Sequence, residues 1–165
     1  MGVRRQAREA ALQALFMCDF VSDWNSQTAD FCLEHFSIPK SVRPYAAQLC
    51  AGVIQHIVKI DASLTCASEH WSLNRMGRVD RSILRLATFE LMFLDEIPVN
   101  VAINEAIEIA KRYGAEESPH FVNGVLDRVA SLHKPRIVVE VVPTGKADIP
   151  AAAAEDLEEL EEEVT

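Results

Sequence analysis

Three arginines open the chain in MGVRRQAREA: Arg4, Arg5 and Arg8. A guanidinium carries a planar fork of donors that matches phosphate oxygens, and it stays charged at any physiological pH. All three fall in the first turns of a predicted helix, where the dipole is positive and cations are disfavoured. They read either as a frayed, solvated end or as a basic arm that waits for an anion. A second group stands far along the chain in EESPHFVNG: Glu117, His120 and Phe121. Unpaired bases are read by stacking on flat side chains and by hydrogen bonds to their edges. Phe121 and His120, at the start of one helix, have those two properties, although on residue type alone Phe121 belongs in a core. Between these groups Arg75, Arg78, Arg81 and Arg85 recur. They would project within about a 120° arc if they shared one helix, the last three within about 60°. Gly77 interrupts that helix, so solvated or salt-bridged arginines are the plainer reading, with Asp80 pointing away from the stripe.

Catalytic chemistry finds little support. Glu117 and His120 have the Glu-x-x-His spacing of carboxylate metal sites, but such sites need two copies on continuous helices. Here there is one, broken by Pro119. Glu105 and Glu108 share part of a helix face with no histidine between them. No glycine-rich phosphate loop and no local Ser–His–Asp or Cys–His signature is present. Cys18, Cys32, Cys50 and Cys66 lie 14, 18 and 16 residues apart, too far for a zinc or redox pair, and read as small hydrophobes. The expectation is a non-enzyme with no metal and no cofactor.

The elements that must hold these residues are helical. Val99, Ile103, Ala106, Ile107 and Ala110 line one face of a helix that Gly114 ends by taking a left-handed backbone. Ser118 and Pro119 restart a helix, the hydroxyl accepting a free backbone N–H and the proline fitting the first position. Val122, Val125, Leu126 and Val129 form its buried face. Gly124 inside it costs roughly 1 kcal/mol against alanine, which predicts a close approach of another backbone. Earlier helices are expected over 3–20, over a short stretch ending at Phe36, over 44–67 with a soft point at Gly52, and from about 78 to 94. The last is apolar on nearly all sides and belongs at the centre of a bundle.

The chain has 165 residues, 49% of them hydrophobic, and a net charge of −9. The last twenty residues set eight acids against Lys146 and carry −7, which leaves −2 on residues 1–145. The body can therefore hold local basic patches. The end, AAAAEDLEELEEEVT, reads as a solvated, largely disordered tail. KPRIVVEVVPTGKADIP before it reads as a short strand or a flexible extension. No apolar run approaches the ~18–20 residues of a membrane span, and the N-terminus lacks a signal sequence. A cytoplasmic protein with no membrane partner is expected.

Four blocks, in order, resemble the NusB family of transcription antitermination factors. They are RRQAREAALQALF at 4–16, VDRSILRLATFEL at 79–91, IPVNVAINEAIEIAKRYG at 97–114 and SPHFVNGVLD at 118–127. The resemblance spans about residues 3–133. It implies an all-α fold of two small helical bundles, each of roughly three helices, packed as one compact NusB-like domain over 1–134. Residues 135–165 are then an extension with no counterpart in the short members. It also implies binding of boxA-type single-stranded leader RNA together with NusE, a small-subunit ribosomal protein. That assembly joins the RNA polymerase antitermination complex and supports processivity on ribosomal RNA operons. Some members self-associate, so a homodimer is a further partner to consider. The resemblance assigns Arg4, Arg5 and Arg8 to phosphates, and moves Phe121 from core to RNA contact. His120 and, more weakly, Arg78 join them, and Asp80 falls in the block that meets NusE. Phe16 stands where the family often has tyrosine, and Pro119 is absent from many members. Three phosphate contacts would give a log–log salt slope of roughly −2. The alternative is a helical protein-interaction module that has lost RNA binding and works through its acidic tail. A third reading is the NusB-like domain that fronts some RNA methyltransferases, but no cofactor-binding domain follows here.

Overall fold

The structure is a computed structural model and describes residues 2–134; the predicted strand or extension after His133 and the acidic tail lie outside the described residues. Six α-helices follow in order: α1 Val3–Val21, α2 Ser26–His35, α3 Arg43–Ala67, α4 Arg78–Phe93, α5 Val99–Tyr113 and α6 Ser118–His133. A 3-10 turn at Leu73–Arg75 lies between α3 and α4. No strand occurs among the described residues. The all-α architecture is the one that the apolar spacing predicts.

Local chemistry sets the ends. α1 closes at Ser22, which takes a left-handed backbone (φ 55°) and donates its N–H to the Asp19 carbonyl. The Asn25 side chain accepts the Thr28 N–H at 2.9 Å and so caps α2. α3 begins one residue before its predicted start and kinks at His56 (φ −111°, ψ 15°), one turn after Gly52. The Phe89 ring of α4 fills the space that a Cβ on Gly52 would occupy. Gly52 is thus a point of close packing, and the His56 ring stacks on Phe93 beside it at 4.0 Å.

α1, α2 and α3 pack as one trio, and α4, α5 and α6 as another. α1 and α3 both lie against α4, so the two trios form one body. As expected, α4 is central: Ile83, Leu84, Leu86 and Leu91 are buried, and so are Arg85, Thr88 and Glu90. α3 has the length and apolar composition of a membrane span, contrary to the reading of the sequence. Its Leu49, Val53, Ile60 and Leu64 are instead buried in this core.

Two glycines depart from their predicted roles. Gly114 is extended, not left-handed (φ −88°, ψ −177°). A Cβ there would meet Ser118 Cβ at 2.5 Å and the Ala110 carbonyl at 2.8 Å, so close packing is what it permits. Ser118 Oγ does accept a backbone N–H, that of Ala115 at 2.9 Å, and ties the α5–α6 corner from the first residue of α6. Gly124 has nothing within 4 Å of an added Cβ, so no backbone of the described chain approaches it.

Candidate nucleic-acid and partner interface

The start of α1 sorts its arginines by depth. Arg4 is exposed, with its guanidinium 5.7 Å from the centre of the Tyr45 ring of α3. Arg5 donates two hydrogen bonds to the Glu105 carboxylate of α5, at 2.8 and 2.7 Å, and keeps 35% of its side chain exposed. Those bonds hold the Glu105 carboxyl below its usual range, against the opposing effect of partial burial.

Arg8 departs from the expectation. It is 3% exposed and donates from Nε to Glu90 at 2.8 Å, with a longer approach of 3.6 Å to Glu105. The Tyr45 hydroxyl donates to the same Glu90 oxygen at 2.9 Å. Burial pushes the Glu90 carboxyl up, while Arg8 and the Tyr45 hydroxyl pull it down. A guanidinium in this position is a partner of the core and cannot reach a phosphate. The cause is Glu90, a carboxylate on the buried α4 whose charge must be matched from inside.

The arginines of the central corner behave similarly. Asp19, at the end of α1, receives Arg81 at 2.5 Å and Arg85 at 3.0 Å, with Arg78 at 3.6 Å. Arg85 also donates two bonds to Asp61 of α3 and lies over the Trp24 ring at 4.6 Å. Burial lowers the Arg85 pKa, but the bonds to Asp61 and Asp19 outweigh it and leave the pKa raised. Arg78 keeps 52% of its side chain exposed, 5.3 Å over Phe20, and is the one of these three still open to solvent.

Phe121 is half-buried one turn into α6 and meets Trp71 edge-on, with ring centres 6.5 Å apart at 70°. Trp71 is 54% exposed, and His120 is exposed on the rim. Arg4 and Arg5 are placed against Tyr45 and Glu105, and Phe121 against Trp71. The cations at the Phe121 corner are instead Arg75, on one side of the ring, and Arg128, on the other. Sequence reasoning passed over Trp71 and Arg128, and placed Arg75 only in the stripe with Arg78, Arg81 and Arg85. The stretch WSLNRMG reads as a corner, and nothing local says that its tryptophan meets α6.

Asp80, read as pointing away from the arginine stripe, is not fully exposed. It is half-buried in the wall of a recess of about 360 Å³ shared with Phe16, Arg78, Tyr113 and Ser118. Its Oδ1 is buried and has no hydrogen-bond partner among the described residues. A buried carboxylate oxygen in that position calls for a donor from elsewhere.

Fold and site together define a class: an all-helical binding protein with separate cationic, aromatic and acidic contact points. Comparison with known proteins narrows this. The NusB family profile matches residues 5–131. The transcription antitermination protein NusB of Geobacter sulfurreducens is 47% identical over 133 residues, covering 79% of this chain and 96% of that protein. The NusB of Desulfitobacterium hafniense is 48% identical over 130 residues, covering 76% and 86%. Among solved structures, T. maritima NusB superposes with a TM-score of 0.72 at 44% identity, covering 80% of this chain and 93% of its own. A chain from the complex of antitermination factors NusB and NusE with double-stranded RNA gives 0.70 at 30% identity, covering 79% and 97%. The chain belongs to the NusB family.

Proposed function

We propose that this protein is a transcription antitermination factor of the cytoplasm, not an enzyme. It binds boxA-type single-stranded leader RNA together with NusE and supports RNA polymerase processivity on ribosomal RNA operons. The match to antitermination proteins along nearly the whole described body carries this reading, and a related chain has been seen with NusE and double-stranded RNA. Residues 1–134 are the binding body, and 135–165 an acidic extension to it. Arg4 and Arg5 contact phosphates, Phe121 stacks on a base with His120 as a donor beside it, and Arg78 adds a cation near the NusE side. Asp80, with its unmatched oxygen, takes a donor from NusE. Arg8, paired with Glu90 in the core, is left out of this phosphate-contact set.

Anisotropy of a short labelled boxA-like single strand, titrated with and without NusE, tests the reading. Binding should be tighter with NusE and should weaken with salt. Arg4→Ala and Arg5→Ala should each reduce the log–log salt slope by roughly 0.7. An absence of RNA binding even with NusE present would overturn it.

A further inference from the structure

Among the described residues two glycines sit inside helices, and they do opposite things. Gly52 makes room for the Phe89 ring. Gly124, in the middle of α6, makes room for nothing in the described chain. A mid-helix glycine loses stability against alanine, so its open space asks for a use outside the fold. That space lies in a concavity of about 240 Å³. Trp71, Phe121, Gly124, His70, His120 and Arg128 all line it. Arg128 gives one donor to the Ala67 carbonyl at 3.3 Å, and a guanidinium has five. One acid, Glu69, also lines the space.

We propose that this concavity seats one unstacked base of single-stranded RNA. The base lies against the α6 backbone at Gly124, and Trp71 supplies a stacking surface beside Phe121. The proposal rests on the RNA-binding reading above and adds Trp71, Gly124 and Arg128 to it. The occupant follows from the chemistry of the walls. The two rings stand at 70°, so a flat group can lie face-on to one and edge-on to the other, both favourable for aromatic groups. The Arg128 guanidinium suits the phosphate attached to that base. With a side chain at 124 one carbon would stand in that space, and a ring could no longer reach the helix backbone.

The chain has two tryptophans, Trp24 and Trp71, so Trp24→Phe leaves Trp71 as the sole indole reporter in the full-length protein. Titration with the boxA-like strand in the presence of NusE should quench Trp71 emission in step with anisotropy of the labelled RNA. NusE alone should not quench it. Trp71→Ala should weaken RNA binding roughly 10-fold, the usual loss of one base–aromatic stack. Gly124→Ala is the sharper variant, because it should raise the melting temperature and still weaken RNA binding at least several-fold. It also serves where Trp71→Ala does not fold. RNA binding with unchanged Trp71 emission and a wild-type affinity for Gly124→Ala would overturn the base seat and leave the RNA-binding reading intact. Quenching by NusE alone would assign the concavity to the protein partner and overturn the seat as well. Loss of all RNA binding by the unmodified protein would be visible in the anisotropy and would remove both readings.

Discussion

Replacing Arg8 by alanine separates a structural arginine from an RNA-binding one. Its side chain is 4% exposed and its partner Glu90 1% exposed, so the change leaves a buried carboxylate without its cation. Breaking such a pair costs about 3–5 kcal/mol. The Tyr45 hydroxyl still donates to Glu90, which places the loss near 3 kcal/mol. For a body of this size that lowers the melting temperature by roughly 10 °C. The loss should depend on pH with a definite sign. Burial already holds the Glu90 pKa above its ordinary value, and Arg8 opposes that rise. Without Arg8 the folded-state pKa climbs further. A raised carboxyl contributes stability that is full below the unfolded pKa and is lost as pH rises through the folded pKa. The deficit of Arg8→Ala against wild type should therefore be large at pH 7 and shrink toward pH 5. Adding Glu90→Gln to Arg8→Ala should recover part of the stability at pH 7, because no charge is then left buried. Urea denaturation at the two pH values measures this, and RNA anisotropy on the folded fraction measures the salt slope. Arg4→Ala should change the slope and leave stability alone; Arg8→Ala should do the reverse. If Arg8→Ala kept wild-type stability and lost RNA affinity as Arg4→Ala does, the assignment of Arg8 to the core would be refuted.

Gly52→Ala should destabilise by about 1–3 kcal/mol in urea unfolding, since the Phe89 ring must leave its seat to admit a methyl group. Asp80→Ala should weaken NusE binding about 10-fold in a titration of the pair, with RNA binding by the protein alone unchanged. Its melting temperature should hold or rise, because the unmatched Oδ1 is removed. The Arg5–Glu105 pair gives a second pH signature of opposite sign. The bond from Arg5 lowers the folded-state pKa of Glu105, so its stabilisation is present above the unfolded value of about 4.3 and is lost as pH falls through the lower folded value. Glu105→Gln should flatten this part of the acid limb of a stability–pH curve, by less than about 1 kcal/mol because Arg5 is partly solvated.

What could be read from the sequence was local, and what could not was long-range pairing. The all-round apolar pattern of α4 placed it at the centre, and the Gly114–Ser118 region announced the α5–α6 corner, since those signals span a few residues each. Arg8 and Glu90 are 82 positions apart, so a cation in a basic cluster gave no hint that a buried acid would draw it inward. Trp71, in the connection after α3, and Phe121, on α6, are 50 positions apart and carry no shared local pattern. Gly52 and Gly124 look alike as helical glycines. Which one is filled depends on the helix that lies opposite, and their roles came out reversed.

The carboxylate of Asp19 has a consequence beyond the ion pairs it makes. It stands at the seam between the two helical trios and gathers guanidinium groups from the first two turns of α4. Two of these, Arg81 and Arg85, are nearly sealed from water. Amidation of this single position would leave Arg81 without its one acid among the described residues, while Arg85 would keep Asp61. One negative charge thus fastens α1 to α4, and its loss would fall on the join between the halves before it reached either half's own packing.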